Sequence, residues 1–161
     1  MKRKSAFVAA LLIVFCFAFA SNSYSQGLHG DGKFGLSIFS GQGSSTAFLF
    51  GGAMDIPIGD RQGLYFRPEF NITTHPSTPI EACGILKYNL PTSMQQTIYI
   101  DGGLGFWFMT GGPFFGLDFG GGMLFPLQNS SVQIPVEIRL GPIIATGSSI
   151  FQIALTTGVH F

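Results

Sequence analysis

From Leu64 to Thr73 the chain alternates without a break: Leu64, Phe66, Pro68, Phe70 and Ile72 fall on one side, and Tyr65, Arg67, Glu69, Asn71 and Thr73 on the other. A two-residue period sorts side chains this way only in an extended strand, and no helical spacing competes. The same pattern recurs in segments separated by Gly, Pro, Ser and Asn. It predicts eight strands, over Lys33 to Ser40, Thr46 to Ile58, Leu64 to Thr73, Ile80 to Leu90, Thr97 to Met109, Phe114 to Leu127, Val132 to Ile143 and Ile150 to Phe161.

Alternation alone fits a soluble two-sheet sandwich as well as a closed barrel. Charge decides between them. Only 10% of the chain is Asp, Glu, Lys or Arg, against about 25% in soluble domains. A soluble barrel needs a hydrated outer face rich in Lys and Glu, and this sequence cannot furnish one. Its apolar faces are therefore expected to meet lipid, and the strand lengths suit tilted spanning strands of roughly ten residues. The expected fold is all-β, an eight-stranded antiparallel up-and-down transmembrane β-barrel.

The beginning of the chain reads as a secretory signal peptide over residues 1–20. Lys2, Arg3 and Lys4 precede an apolar run from Ala6 to Ala20, and Ala18-Phe19-Ala20 offers a small-x-small cut, with Ser25 as a second. The run is shorter than a spanning helix requires. Residues 21–32 then read as a flexible periplasmic lead-in, and 33–161 as the barrel domain. Beyond residue 20 five Lys/Arg stand against eight Asp/Glu, a net charge of −3 that gives nucleic acid no reason to bind. Cys83 alone remains there, so no intramolecular disulfide is expected.

The segment Ile150 to Phe161 carries a further signal. Phe151, Ile153, Leu155, Thr157, Val159 and Phe161 form one face, and the segment stops on an aromatic. It resembles the closing strand of bacterial outer-membrane barrels, and Leu155, Thr157, Gly158, Val159 and Phe161 match the pattern read there as an assembly signal. With its eight alternating segments, the chain resembles the small eight-stranded outer-membrane β-barrel family of the OmpA or OmpX type. The resemblance implies Sec export, periplasmic chaperones, the barrel assembly machinery, and a final place in the bacterial outer membrane among lipid and lipopolysaccharide. The four outer loops are short, which argues against an adhesive role.

Candidate chemistry is sparse. His75-Pro76-Ser77 has the His-x-Ser spacing of lipid A deacylases, with Glu81 the nearest carboxylate, which gives an acyl hydrolase using His75 and Ser77 as one reading; a Pro-bracketed loop is the other. No catalytic residue, cofactor or metal is otherwise expected: the Gly102-Gly103-x-Gly105 and Gly120-Gly121-Gly122 clusters lack a phosphate-binding motif, and His29 and His160 lack companion ligands. Glycines of this kind permit curvature or close approach. Trp107 falls by parity on the inward face with Tyr99 and Met109.

The charged residues do form a pattern. Residues equidistant from a hairpin turn face one another, and about the three periplasmic turns Asp55 mirrors Arg67, Lys87 mirrors Asp101, and Asp118 mirrors Arg139. Three lumenal ion pairs are thus expected, with Glu69, Glu81 and Glu137 left over toward the outer half. Glu69 and Glu81 roughly mirror one another across an outer loop, which favours cations there. The first functional reading is a non-enzymatic outer-membrane barrel with a side-chain-filled polar lumen and a structural or interaction role. The alternative is a narrow, weakly cation-preferring channel or small-ligand transporter.

Overall fold

The computed structural model describes residues 27–41, 43–59, 63–75, 80–109, 112–145 and 148–161. The expected signal peptide, Ser25, Ser77 and the charged pair Asp60 and Arg61 lie outside them. The described chain forms eight strands: β1 (His29–Ser40), β2 (Ser44–Pro57), β3 (Leu64–Thr73), β4 (Ile80–Leu90), β5 (Thr97–Met109), β6 (Gly112–Pro126), β7 (Gln133–Ala145) and β8 (Ser148–His160). Each pairs antiparallel with the next, and β1 closes on β8, so the sheet is a closed barrel without edges. We call lower the rim that carries His29, Phe161 and the turns after β2, β4 and β6, and upper the rim that carries the other four connections.

β3, β4 and β5 have the bounds their alternation predicts. β1 does not: it starts at His29, so the last four residues of the expected lead-in belong to the barrel. They are extended because they find partners on both sides, His29 opposite Asp55 on β2 and Asp31 opposite His160 on β8. Similarly, β6 starts at Gly112 and not at the expected Phe114, since Gly112 and Pro113 pair with Met109 and Phe108.

The two faces are sorted as the period dictates. Large apolar side chains point outward on every strand, among them Phe34, Phe50, Phe66, Leu86, Leu104, Phe119, Ile138 and Leu155, and Leu104 is 60% exposed. Every Asp, Glu, Lys and Arg among the described residues points inward and is buried. The described charged groups are thus part of the core, beside a smaller set of buried apolar side chains such as Leu49, Ile85, Trp107 and Ile143, and many large apolar groups form the surface.

A barrel of eight strands leaves room for little more than side chains, and glycine decides where the large ones fit. Gly105 on β5 faces Gly116 on β6. A Cβ on Gly105 would stand 2.6 Å from the Trp107 ring, and one on Gly116 3.0 Å from it. The indole therefore lies in the notch that the two glycines leave.

Candidate functional site

Among the described residues polar side chains gather in the lumen, and two layers fill it. In the first, Glu137 on β7 is the hub. It accepts from Lys33 Nζ at 3.1 Å, from an Arg67 amino group at 3.3 Å and from the Tyr99 hydroxyl at 2.7 Å, and Arg139 Nη1 stands 3.5 Å away. Glu69 on β3 is a second centre, 2.5 Å from Lys33 Nζ and 2.7 Å from Arg139 Nη1. Arg67 is shared among Asp31, Asp55, Glu69 and Glu137. Asp31 also meets His160 Nδ1 at 2.5 Å near the lower rim.

These contacts place the six residues of the mirror argument. Asp55 and Arg67 meet at 3.2 Å. Arg139 donates to Asp118 from Nη2 at 2.6 Å and from Nε at 3.2 Å. The Asp118 and Arg139 backbones are not opposite one another, however: Arg139 faces Gly120, and because Gly120 has no side chain the guanidinium swings across to Asp118. The third pair is corrected. Lys87 and Asp101 do face each other in register, but Lys87 Nζ reaches Asp55 at 2.5 Å, over the Tyr99 ring at 4.3 Å. Neither carboxylate oxygen of Asp101 has a hydrogen-bond partner among the described residues. The Lys side chain is long enough to choose among carboxylates, and Asp55 lies where its charge and the ring face both stabilise the ammonium.

Glu69 and Glu137, left over in the mirror argument, are instead the most heavily bonded carboxylates of the lumen. Glu69 and Glu81 do approach one another, with Asn71 between them: its Nδ2 donates to Glu69 at 2.8 Å and to Glu81 at 3.4 Å.

The second layer lies above the first. Gln152 Nε2 donates to Glu81 at 2.7 Å and to Ser37 Oγ at 2.9 Å, and its Oε1 accepts from Trp107 Nε1 at 2.8 Å. Trp107 then packs with Phe39, Ala47 and Ile143 into an apolar stopper, against which Phe114 and Ile150 lean. His75 caps this end, its ring 5.1 Å from that of Phe39 and its Nε2 2.8 Å from Ser45 Oγ.

The glycine clusters that resisted a phosphate-binding reading also have a place here. A Cβ on Gly122 would meet the Tyr99 hydroxyl at 2.7 Å, and one on Gly120 would meet Asp101 at 2.8 Å and Arg139 at 2.9 Å. Gly105, Gly120 and Gly122 thus leave notches for large inward side chains, whereas Gly103 and Gly121 lie against the backbone of the neighbouring strand; for Gly105 and Gly122, a glycine near an inward aromatic is the signal that betrays the notch.

Asp31, Asp55 and His160 bring ligand atoms within 4.8 Å of one another. Arg67 and Lys87 already supply the opposing charge, so the geometry does not favour a metal there. At the lower rim Phe161 exchanges both backbone hydrogen bonds with Gly30, at 2.8 and 2.9 Å, and its ring lies over Gly30. Leu155 and Val159 point outward, Thr157 donates to the Pro135 carbonyl at 2.8 Å, and Gly158 packs against the β1 backbone.

No protein-family model matches the sequence, and neither does any curated protein. Solved structures do share its architecture. It is similar to Neisserial surface protein A, with a TM-score of 0.67 and 17% identity over 83% of this chain and 96% of that one. It is also similar to the N-terminal β-barrel domain of OprF from Pseudomonas aeruginosa, with a TM-score of 0.51 and 12% identity over 82% of this chain and 99% of that one. The fold of this chain is that of the small eight-stranded outer-membrane β-barrels.

Proposed function

We propose that the protein is an integral outer-membrane barrel with a plugged lumen, serving a structural or interaction role and neither transporting solute nor catalysing a reaction. The observation that carries this reading is the distribution of charge. All seven carboxylates and all four Lys/Arg side chains among the described residues are buried in the lumen, and the outward face is aliphatic and aromatic on every strand. Such a surface is costly in water and at home in hydrocarbon. The stopper of Phe39, Ala47, Trp107 and Ile143 favours a silent barrel over the channel alternative. His75 is engaged with Ser45, and the Ser77 of the acyl-hydrolase reading lies outside the described residues.

On this reading the partners are outer-membrane lipid and lipopolysaccharide, with periplasmic chaperones and the barrel assembly machinery during biogenesis after Sec export. Fractionation tests the location: the protein should sediment with the outer membrane and migrate differently in gels when boiled and unboiled. Recovery as a soluble periplasmic protein overturns it. Planar-bilayer recording of the refolded protein should find no discrete conductance steps, and a stepwise, cation-selective current would move the assignment to a channel.

A further inference from the structure

The four upper connections lie in stretches of sequence that carry no Asp, Glu, Lys or Arg: residues 34–54, 70–80, 102–117 and 140–161. Asp60 and Arg61 belong to the turn after β2, on the lower rim. Glu81 comes nearest to the upper rim, but it points inward, is buried, and accepts from Gln152 and Asn71. His75 apart, the upper rim therefore offers its surroundings no ionisable side chain of either sign.

What it does offer has two tiers. Ser40, Ser44, Thr46, Thr74 and Ser149 are exposed at the strand ends. Just below them Phe48, Phe108, Phe115 and Phe151 point outward, and Phe48 is 59% exposed. A band of phenyl rings beneath a collar of hydroxyls matches the boundary where acyl chains give way to ester and sugar oxygens.

Binding phosphate takes more than that. A phosphate is held by Lys or Arg, or by several backbone N–H groups converging on it. Three N–H groups of this rim are already spent: Gly41 donates to the Gly43 carbonyl, Thr74 to the Phe48 carbonyl, and Phe48 to Thr74 Oγ1. A divalent ion shared between phosphate and protein needs an oxygen ligand of high charge on the rim, and the nearest carboxylate faces the lumen.

We infer that the upper rim is a seat for the uncharged part of the surrounding glycolipid, its sugar hydroxyls and ester oxygens, and that it takes no hold of the phosphates. The inference rests on the outer-membrane reading above and adds which part of lipopolysaccharide the barrel touches. Contact of this kind is indifferent to salt, because no charge is there to be screened.

The test compares full barrels refolded into phosphatidylcholine vesicles that contain either lipid A or lipid A stripped of its phosphates, at one alkaline pH so that histidine charge does not enter. Both glycolipids should slow unfolding in urea to the same extent relative to phosphatidylcholine alone, at low salt and at high. Ser149→Lys should unfold about fivefold more slowly than the parent in phosphorylated lipid A at low salt, the factor for one basic side chain near an anionic surface, and should lose the gain at high salt. If that variant does not refold, Ser44→Lys carries the same expectation.

Slowing of the parent by the phosphorylated lipid alone, or slowing that high salt abolishes, overturns the inference, and so does the lack of slowing by either glycolipid. A lysine variant that refolds and gains nothing removes the rim from the headgroup layer and overturns the seat. A barrel that refolds in these vesicles and migrates differently when boiled and unboiled keeps the outer-membrane reading, whichever way the lipid comparison falls.

Discussion

Glu137 takes part in a cluster that draws on four strands: Lys33 from β1, Arg67 from β3, Tyr99 from β5 and Arg139 from its own β7. Residues in one network do not contribute independently, so the pairing of Lys87 is best tested by coupling. A double-mutant cycle of Lys87→Met with Asp55→Asn should show a coupling energy above about 1 kcal/mol in urea unfolding, whereas the cycle with Asp101→Asn should show little. Lys87→Met alone should cost about 3–5 kcal/mol, the scale for breaking a buried pair. The Asp118 and Arg139 pair allows a harsher experiment. Asp118→Arg should destabilise the barrel, and adding Arg139→Asp should restore only part of the loss, because the exchanged Asp can no longer serve Glu69. Full additivity of those two changes would show that the pair is not formed. Much of this was legible in the chain itself. Mirror positions about a turn place Cβ atoms, and where side chains are short or the guanidinium is adjacent, as for Asp55 and Arg67, they place the contact too. They fail for Lys87 and for Glu137, because a closed lumen brings together strands that no single hairpin joins, and a long side chain reaches whichever partner the closure supplies.

At the scale of the strand, the alternation predicts faces throughout but ends only for β3, β4 and β5. Faces follow from the period alone, while an end depends on what a neighbouring strand offers: β1 begins at His29 because β2 and β8 both extend that far. Glycine sets how near adjacent strands approach. A Cβ on Gly141 of β7 would collide with the carbonyl oxygen of Leu117 on β6, whereas one on Gly32 of β1 would meet nothing within 4 Å. Gly141→Ala should therefore lower stability by ~1–3 kcal/mol, the usual range for overpacking, and Gly32→Ala should leave the unfolding midpoint near that of the parent. Equal effects at the two positions would mean that the close approach of β6 and β7 is not a constraint. Trp107 follows the same logic. Its inward position was evident from parity, but its accommodation was not, since the notch needs Gly105 and Gly116 to face one another across two strands.

For the whole molecule, the outward surface sets the sharpest expectation. Leu104 stands near the middle of β5 and is the most exposed of that strand's outward residues at 60%. In lipid, Leu104→Arg should cost about 2–4 kcal/mol, the range for a basic residue at the bilayer midplane of a barrel. The same change on the solvent face of a soluble barrel would be close to neutral, so refolding yields in liposomes separate the two environments. The burial of every described charge in the lumen also bears on how the barrel is made. Lys33 on the first strand finds its carboxylates on β3 and β7, and its contact with Glu137 spans 104 positions of sequence. Until β1 meets β8 there is no inside, and the eleven charged side chains have only water or oil to choose between. A hairpin of this chain cannot enter a bilayer alone without carrying bare ions into it. The last seam and the first stable insertion are thus one event, which makes this barrel a structure with no habitable halfway state.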